Sequence, residues 1–266
     1  MAEVQLSTPA DAVLVAIDDR VMTATLNAPA LRNSISAPGV REGLTAAVER
    51  FFADPALQIL ILTGAGAAFC SGGNLNRLKD MDEIELRRSL ERGAWLYRQI
   101  ILGEKPVIAA VEGAAYGAGL GLAIACDVVV AARDARFCAS FVRIGGMPDA
   151  ALLWSLPWRV GPARARQLMM FGDEVGGAEA VAIGLADRLV EPGGALAEAQ
   201  RLARRLADGP PLSIRRIKTS IQRAPMDLEA ALQLQLDNAP SLFASEDFRE
   251  GASAFLEKRK PVFKGR

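Results

Sequence analysis

Three continuous apolar runs, each the length of a strand, restrict the possible folds of this chain most strongly. They are Leu57–Thr63, Val107–Val111 and Val128–Ala131. A strand with one solvated face alternates apolar and polar residues, whereas a strand covered on both faces is apolar throughout. Helix-like patterns fill the intervals, at roughly 37–52, 81–102 and 118–126. The alternation predicts an α/β protein in which helices cover a parallel sheet.

The two ends of the chain differ from this central region. Val13–Ile17 and Val21–Leu26 flank two aspartates and predict a hairpin. From about residue 162 onward, prolines and glycines separate amphipathic stretches that predict helices only, the last of them Glu246–Lys260 with a basic end. We therefore expect a core over residues 1–205 and a C-terminal helical region over 206–266. Such a tail is either an assembly arm or a solvated helix, and the pattern leaves both open.

Charge and residue usage exclude several classes of protein. Lys and Arg number 31, as do Asp and Glu, so the chain has no electrostatic reason to seek nucleic acid or an anionic membrane. It has no histidine and its three cysteines form no CxxC pair, which argues against a zinc site and against Ser–His or Cys–His nucleophiles. Residues 1–11 lack the basic apolar pattern of a signal peptide, and the stretch between Gly113 and Cys126 is too short to span a bilayer. We expect a cytoplasmic protein without a metal site.

Two glycine-rich segments, Thr63–Asn74 and Glu112–Gly121, each follow an apolar run. Glycine has no Cβ, so backbone N–H groups can approach a ligand closely. The second segment leads into a helix, whose first N–H groups lack internal partners, and two N–H groups that converge on one point form an oxyanion hole. Gly119 and Gly121 lie inside that helix, where each costs about 0.8–1 kcal/mol relative to alanine. Tight turns and close helix packing are the alternative explanations.

Several motifs together carry a resemblance to a known family. They are Asn27-Ala28-Pro29 with Arg32-Asn33-Ser34, Leu62–Leu75, Lys105–Asp127, Ala135-Arg136-Phe137, Pro148, Val160-Gly161 and Phe248–Arg259. In these segments, which span nearly the whole chain, the sequence resembles the enoyl-CoA hydratase/isomerase (crotonase) superfamily. Over Phe137–Gly161 and Ser245–Arg266 it is most similar to the single-aspartate enoyl-CoA isomerase type of the phenylacetate pathway.

The resemblance implies a crotonase-like spiral of ββα units with a C-terminal helical trimerisation region, assembled as a homotrimer or hexamer. It implies an acyl-CoA thioester substrate, with no cofactor besides the coenzyme A that enters as part of that substrate. The oxyanion donors correspond to the N–H groups of Gly73 and Ala118. The coenzyme A contacts correspond to Arg32, Ala68, Cys70, Gly72 and Leu75, and to Phe255 and Lys258 contributed by a neighbouring subunit.

Two positions depart from the family pattern. Asn74 stands where many members have Asp, and we predict that it caps the following helix, which Asn does equally well. Glu112 stands where Asn is usual. Its carboxylate is either a second acid near the site or a group that only holds the turn.

The chemistry depends on a single acidic residue. The two glutamates of the family's hydratases correspond here to Gly121 and Phe141, neither of which can carry a proton. Asp149 lies eight residues after Phe141, where the family's isomerases place a catalytic aspartate. One carboxylate suffices for a 1,3-proton shift. Met147, Pro148, Leu152 and Phe141 are apolar neighbours expected to raise its pKa. The alternative is that Asp149 caps a helix beginning at residue 150.

These features predict an acyl-CoA isomerase that shifts a double bond from Δ3 to Δ2 through an enolate held in a backbone oxyanion hole. A ring-epoxide or oxepin CoA thioester is a possible substrate, because Phe141, Trp154 and Trp158 suit a ring pocket, although such aromatics also occur in ordinary cores. An enoyl-CoA hydratase that uses Glu112 or a water held by Asp149 is one alternative. A non-catalytic acyl-CoA binder is another.

Overall fold

The computed structural model describes residues 12–222 and 226–266. The described strands are β1 Val13–Asp18, β2 Val21–Leu26, β3 Ile59–Gly64, β4 Ala68–Cys70, β5 Val107–Val111, β6 Ala114–Tyr116, β7 Val128–Ala132, β8 Arg136–Cys138, β9 Glu174–Gly176 and β10 Arg188–Val190. The described α-helices are α1 Val40–Ala53, α2 Leu75–Leu78, α3 Glu83–Leu102, α4 Ala118–Ala125, α5 Leu152–Phe171, α6 Gly177–Ala182, α7 Ala195–Ala207, α8 Pro211–Ile221, α9 Leu228–Phe243 and α10 Glu246–Glu257. Two predictions concern residues outside the described ranges. One is the absence of a signal peptide in residues 1–11, and the other is that Pro225 is among the prolines that separate the C-terminal helices.

Two sheets organise the core. The larger has the strand order β1-β2-β3-β5-β7-β10, and the smaller has the order β4-β6-β8-β9. The hairpin is confirmed: β1 pairs with β2 in antiparallel fashion, and Asp19 at the turn has a φ of 52°. From β2 to β10 the pairings in the larger sheet are parallel, as the continuous apolar runs predicted.

The chain repeats one unit: a long strand, a short strand and a helix. In three successive units the long strands β3, β5 and β7 lie side by side in the larger sheet, and the short strands β4, β6 and β8 lie side by side in the smaller one. Each unit therefore advances by one strand in both sheets at once. This is the crotonase-like spiral of ββα units that the sequence predicted.

The central strands of the larger sheet, β3, β5 and β7, are buried on both faces. On one face Leu60 and Leu62 of β3 belong to the main core, which includes α1, α4 and α5. On the other face Ile59 and Ile61 pack against α7. Helix α7 approaches closely because its buried side chains are alanines at every fourth position: Ala195, Ala199, Ala203 and Ala207. This packing explains why the strand runs contain no polar alternation.

The prediction of helices only beyond about residue 162 is wrong. The short strands β9 and β10 lie in this region and extend the smaller and the larger sheet, respectively. Each has three residues, which is too short for a periodic pattern, so only the partner strand reveals it. Helix α5 also begins before this point and contains Pro157 and Pro162, with a kink at Gly161. Helix α7 runs across residues 205 and 206 without a break. The division into regions 1–205 and 206–266 stays a prediction.

An ion pair between a buried lysine and a partly exposed aspartate joins the C-terminal helices to the core. The Lys218 ammonium of α8 donates to Asp127 Oδ2 at 2.7 Å and to the carbonyl oxygens of Ile100 and Lys105 at 2.9 Å each. Asp127 in turn accepts the N–H of Val107, at the start of β5. Within the described ranges, no helix is both long and apolar enough to cross a bilayer.

Candidate active site

The two glycine-rich segments meet at the ends of β4 and β6, which pair in parallel. Gly72 has a φ of 88°, and a Cβ at this position would lie 2.6 Å from the carbonyl oxygen of Tyr116 and 3.3 Å from the nitrogen of Ala118. A Cβ on Gly119 would lie 2.1 Å from the carbonyl oxygen of Cys70. The distances to the two carbonyl oxygens are shorter than any that real Cβ atoms show. Glycine is therefore needed at positions 72 and 119 for one backbone segment to approach the other. The approach brings the residue before Gly73 against Ala118.

The backbone around these two residues is held from both sides. The hydroxyl of Ser34 and the N–H of Ile35 both donate to the carbonyl oxygen of Gly72, at 2.7 and 3.0 Å. Gly117 precedes α4 with a φ of 52°, and its N–H donates to the carbonyl oxygen of Cys138 at 2.9 Å. Within residues 12–222 and 226–266, the N–H groups of Gly73 and Ala118 have no acceptor. The segments thus present two unused main-chain donors on an anchored backbone.

Asp149 is not the cap of the following helix. Helix α5 begins at Leu152 with Ala151 as its N-cap residue, and no side chain accepts from its first N–H groups. Ala150 and Ala151 have φ values of 53° and 59°, a left-handed conformation that is unusual for residues with a Cβ. The predicted alternative of a helix starting at 150 with Asp149 as its cap is therefore wrong. This left-handed pair separates the carboxyl group from the helix.

The carboxyl group of Asp149 is buried without a hydrogen-bond partner. Its Oδ1 is fully covered and finds no donor in the part of the chain that the structure describes. Buried polar atoms in folded proteins are nearly always hydrogen-bonded, so each exception calls for an explanation. A group that must exchange a proton with a ligand is one such explanation.

Asp149 faces a cavity of about 440 Å³, the size of a typical small-molecule site. The walls come from α3, from the start of α4 and from the beginning of α5, and most of them are apolar. The polar or ionisable side chains in the lining are Arg41, Ser89, Tyr97, Arg98 and Asp149. Ala118 lies in the same wall, so one cavity contains both an unused main-chain donor and an unpaired carboxyl.

The electrostatics of the cavity favour a neutral carboxyl. Burial raises the pKa of Asp149 above its usual value of 3.8, and the nearby charge of Arg41 opposes this shift. Burial also raises the pKa of Tyr97, and the charge of Asp149 adds to the effect. The Tyr97 hydroxyl donates to the carbonyl oxygen of Ala118 at 3.3 Å, so the phenol stays protonated beside the start of α4. The desolvation comes from the cavity walls and not from Met147, which was expected to contribute but is 72% exposed.

The two positions that would carry the hydratase glutamates hold no acid, and at Gly121 there is no room for one. A Cβ on Gly121 would lie 2.5 Å from both the Cβ and the carbonyl oxygen of Ala150. Gly121 is thus the packing partner of the segment that carries Asp149. Phe141 packs beside Gly117, 3.7 Å from where a Cβ would stand, and it is not part of the cavity lining.

Only one of the three aromatics expected to form a ring pocket lines this cavity. Trp154 contributes to its wall, while Trp158 stacks on Trp154 at 5.7 Å and lines a neighbouring cavity of about 440 Å³ against α8. The prediction that Phe141, Trp154 and Trp158 share one pocket is wrong. Spacing along the chain did not show that Phe141 lies in a separate turn, Ser140–Ile144.

The side chains of the two residues that depart from the family pattern both accept hydrogen bonds from backbone N–H groups. Asn74 caps α2, as predicted, by accepting the N–H of Asn76 at 3.0 Å. Glu112 accepts the N–H groups of Gly193 and Ala195, at 3.1 and 2.9 Å, and so anchors the start of α7. Its carboxylate is not part of the cavity that contains Asp149.

The residues predicted to contact coenzyme A fall into two groups. Arg32, Ala68, Cys70, Gly72 and Leu75 lie near the first glycine-rich segment, with Arg32 and Leu75 exposed and the N–H of Ser71 donating to the Arg32 carbonyl oxygen at 3.0 Å. Cys70 is buried, and burial raises the pKa of its thiol to about 11, so it is no nucleophile.

Phe255 and Lys258 lie at the far end of the chain, on α10 and at its C-terminal cap. Phe255 is 84% exposed. In the basic cluster, Arg259 pairs with Glu250 and Glu257 and Lys260 pairs with Asp208, whereas within the described ranges Lys258 has no carboxylate partner.

Sequence reasoning missed four polar residues of the cavity: Arg41, Ser89, Tyr97 and Arg98. A signal was present for Tyr97, because Ser89, Gly93 and Tyr97 recur at every fourth position of α3 and form one wall. Small residues on one face of a helix leave space for a ligand or a partner. Arg41 gave no comparable signal, since a single arginine near a helix start reads as a solvated residue.

Comparison with known proteins agrees with the fold. The sequence profile described as enoyl-CoA hydratase/isomerase matches residues 16–266. A probable enoyl-CoA hydratase of Rhodobacter capsulatus is 39% identical, over 94% of this chain and 96% of that protein. The 1,2-epoxyphenylacetyl-CoA isomerase of Escherichia coli is 37% identical, over 96% of this chain and 98% of that protein. A crystal structure of a putative enoyl-CoA hydratase from Streptomyces coelicolor superimposes with a TM-score of 0.91 at 36% identity, covering 98% of each chain.

A ββα spiral whose glycine-rich segments meet beside an apolar cavity is the architecture of an acyl-CoA enzyme of the crotonase superfamily. Within that class, the chain belongs to the enoyl-CoA hydratase/isomerase family.

Proposed function

We propose that this protein is an enoyl-CoA isomerase that moves a double bond from Δ3 to Δ2 and uses Asp149 as its only acid/base. The observation that carries the proposal is the Asp149 carboxyl in the cavity, whose covered Oδ1 has no partner in the described structure, while Gly121 and Phe141 occupy the two positions of the hydratase glutamates. Adding water across a double bond by the paired-carboxylate route requires two acids to position and deprotonate the water. A 1,3-proton transfer requires one.

The N–H groups of Gly73 and Ala118 act as the oxyanion hole in this proposal. Both are unused donors on an anchored backbone, and Ala118 is the first residue of α4, where the helix dipole adds positive potential. The thioester carbonyl oxygen binds between them and gains charge as the enolate forms. One such donor contributes about 3 kcal/mol to the stability of the transition state.

Asp149 moves the proton between two carbons. Its carboxylate removes a proton from C2 of the 3-enoyl thioester, and the electrons move into the dienolate held by the two N–H groups. The carboxylic acid so formed returns the proton to C4, which leaves the double bond between C2 and C3. A pKa raised by burial suits both steps, because the group must accept a proton and release it again.

Coenzyme A enters in this proposal only as part of the substrate. Arg32 and the backbone of Ala68, Cys70, Gly72 and Leu75 bind it from one subunit, and Phe255 and Lys258 from a neighbour in a homotrimer or hexamer. The exposure of Phe255 and the unpaired ammonium of Lys258 support a role for both at an interface. The proposed location is the cytoplasm, which the small, odd number of cysteines favours.

A hydratase is the second candidate, because several relatives are named as hydratases, including the crotonyl-CoA hydratase of Syntrophomonas wolfei at 33% identity. The geometry argues against Glu112 as the missing acid, since both of its oxygens accept main-chain N–H groups at the start of α7. A water held by Asp149 alone remains as the route to hydration.

A relative is named 1,2-epoxyphenylacetyl-CoA isomerase, so a ring substrate belongs in any assay panel.

The decisive experiment compares two reactions of the wild type and of Asp149→Asn. Conversion of 3-hexenoyl-CoA to the conjugated 2-enoyl thioester is followed by ultraviolet absorbance, and hydration of crotonyl-CoA by the loss of that absorbance. We expect isomerisation to be the faster reaction, and Asp149→Asn to lower its kcat by about 10²–10⁴-fold. Glu112→Gln is the matched control, with kcat expected to stay within about threefold of the wild type.

Three results would contradict the proposal. Full turnover by Asp149→Asn would show that another group carries the proton. Hydration faster than isomerisation in the wild type would identify a hydratase. Binding of acyl-CoA without turnover of any enoyl thioester, linear or cyclic, would identify a non-catalytic binder.

A further inference from the structure

Arg41 carries no proton in the proposed transfer. It is the second residue of α1, and its half-buried side chain lines the cavity that also contains Asp149 and Ala118. The other arginine of this lining, Arg98, is exposed. Arg41 also lines an adjoining cavity of about 250 Å³, whose other charged residues are Glu42, Arg77 and Arg92. It therefore lies between the acyl cavity and a second space with an excess of basic side chains.

The guanidinium of Arg41 is only partly satisfied. Its Nη1 donates to the hydroxyl and to the carbonyl oxygen of Ser89, at 3.0 and 3.2 Å. Its Nε and Nη2 donate to no group in the described part of the chain, and no carboxylate there lies within 4.0 Å. Arg159 is a useful contrast, because that arginine pairs with Asp187 and donates to several carbonyl oxygens.

The free edge of Arg41 matches the shape of a carboxylate. The Nε and Nη2 donors point in nearly parallel directions, so they bind the two oxygens of one carboxylate together. Ser89 occupies the other side of the guanidinium and fixes its plane. A partly buried cation with unused donors in an apolar cavity is unfavourable unless a ligand supplies the missing acceptors.

We propose that Arg41 binds a carboxylate at the distal end of the acyl group, so that the preferred substrates are ω-carboxyacyl-CoA thioesters. This inference rests on the proposed acyl site and names its substrate class. The thioester end is held near Ala118 and the carboxylate end by Arg41, with the carbon chain along the apolar wall of α3. Arg77 and Arg92, for which the described residues offer no carboxylate partner, add positive potential behind Arg41.

The test measures binding of saturated thioesters, which contain no double bond and so do not depend on catalysis. Three pairs of equal chain length are compared by calorimetry at pH 8: succinyl- with butyryl-CoA, adipyl- with hexanoyl-CoA, and suberyl- with octanoyl-CoA. We expect the wild type to bind the carboxylate member about 10–100-fold more tightly in at least one pair, as a bidentate charged contact provides. In Arg41→Gln this preference is expected to fall to about onefold.

Arg87→Gln is the matched control. Arg87 lies on α3, pairs with Glu91 at the surface and lines neither cavity, so the variant removes one positive charge and keeps the preference. Binding of hexanoyl-CoA by Arg41→Gln within about threefold of the wild type shows that the fold is intact. If that binding is lost, Arg41→Lys serves instead, with a reduced preference expected because an ammonium binds a carboxylate without the bidentate geometry.

Two results would overturn the inference: no preference for the carboxylate at any length in the wild type, or the same preference in Arg41→Gln. Failure of the proposed function gives a different pattern. If 3-enoyl thioesters are not isomerised while the Arg41-dependent preference persists, the carboxylate site stands and the isomerase does not. If 3-hexenoyl-CoA is isomerised and no preference for a terminal carboxylate is found, the isomerase stands and the carboxylate site does not.

Discussion

At the level of the single residue, the Asp149 carboxyl combines a fully covered Oδ1 with the lack of any hydrogen-bond partner in the described structure. The buried charged side chains of Lys105, Lys218 and Asp247 each make several hydrogen bonds within that structure. An unpartnered carboxyl destabilises the fold, and proteins keep such groups where function requires them.

The raised pKa of Asp149 predicts the pH dependence of the reaction. The proposed base must be ionised in the free enzyme, so kcat/KM falls as the pH drops through the pKa of Asp149. Because burial raises that pKa above 3.8, the midpoint of the acid limb is expected at a higher pH than for an exposed aspartate. Initial rates with 3-hexenoyl-CoA between pH 4 and 9 measure it.

The same profile in Arg41→Gln tests the cause. The charge of Arg41 lowers the pKa of Asp149, so its removal is expected to move the acid limb to still higher pH. A limb that stays in place would show that Arg41 does not act on Asp149 through its charge.

Asp149 also predicts a difference in stability. A carboxyl whose pKa is raised in the folded state binds its proton more tightly there, so stability falls as the pH rises from 3.8 through the folded value. Asp149→Asn removes this penalty and is expected to stabilise the protein by about 1 kcal/mol at pH 8, or about 2–4 °C in Tm. Thermal denaturation followed by circular dichroism measures the difference, which should shrink below pH 4. A lower Tm for Asp149→Asn at pH 8 would contradict the interpretation.

At the scale of secondary structure, the contact between α4 and the start of α5 sets the position of the carboxyl. Gly121→Ala places a Cβ 2.5 Å from Ala150, whose backbone is already in a left-handed conformation. We expect the variant to displace Asp149, lowering kcat at least tenfold and stability by about 1–3 kcal/mol. Steady-state kinetics and urea denaturation measure the two effects.

Gly251→Ala in α10 is the control for this substitution. Its Cβ would meet only the side chain of Phe263, at 3.3 Å, so kcat is expected to be unchanged. Wild-type kcat in Gly121→Ala would show that the α4–α5 contact does not position the carboxyl.

The ion pair of Lys218 with Asp127 is the second contact between elements that matters. Lys218→Met leaves the partly exposed Asp127 beside two carbonyl oxygens that the ammonium had bound, and we expect a loss of about 1–3 kcal/mol. Urea denaturation measures the loss, and hydrogen exchange should show faster opening of α8 than of β5. Lys260→Met removes an exposed pair with Asp208 and is expected to change stability by less than about 0.5 kcal/mol. Equal effects of the two variants would contradict the special role of Lys218.

At the scale of the whole molecule, the C-terminal helices expose more apolar surface than a solvated tail would. Leu228, Leu232 and Leu236 recur at every fourth position of α9, exposed by 69%, 43% and 67%, and on α10 Phe255 and Leu256 are exposed by more than 75%. Contiguous apolar surface of this kind marks an interface. It favours the assembly arm over the solvated helix, the two alternatives that the sequence left open.

The proposed trimer predicts that assembly and activity are lost together. Leu232→Asp with Leu236→Asp places two charges on the apolar face of α9, and we expect monomers by size exclusion with light scattering. Because Phe255 and Lys258 would then be absent from the neighbouring site, KM for acyl-CoA is expected to rise at least tenfold. Ala230→Asp, on the opposite face of the same helix, should leave both unchanged. A trimeric double variant, or a monomer with unchanged KM, would contradict the arrangement.

The sequence by itself determined the class of fold and indicated the segments that meet at the candidate site. Apolar runs without alternation required strands covered on both faces, and two glycine-rich segments after such strands marked where backbones approach each other. Asp149, with glycine and phenylalanine where hydratases have glutamates, favoured a reaction with one acid. These are local properties, since covalent geometry and hydrophobic periodicity act within a few residues.

Only the tertiary structure decided what surrounds that acid. Whether Asp149 capped a helix or faced a cavity depended on the left-handed turn at Ala150 and Ala151, which close packing against Gly121 supports. Whether Glu112 belonged to the site depended on a loop about eighty residues away along the chain, and β9 and β10 were visible only through their partners. Arg41 became notable once the cavity showed that Ser89 satisfies one side of it. Contacts between residues far apart in sequence set burial and pairing, and no local pattern encodes them.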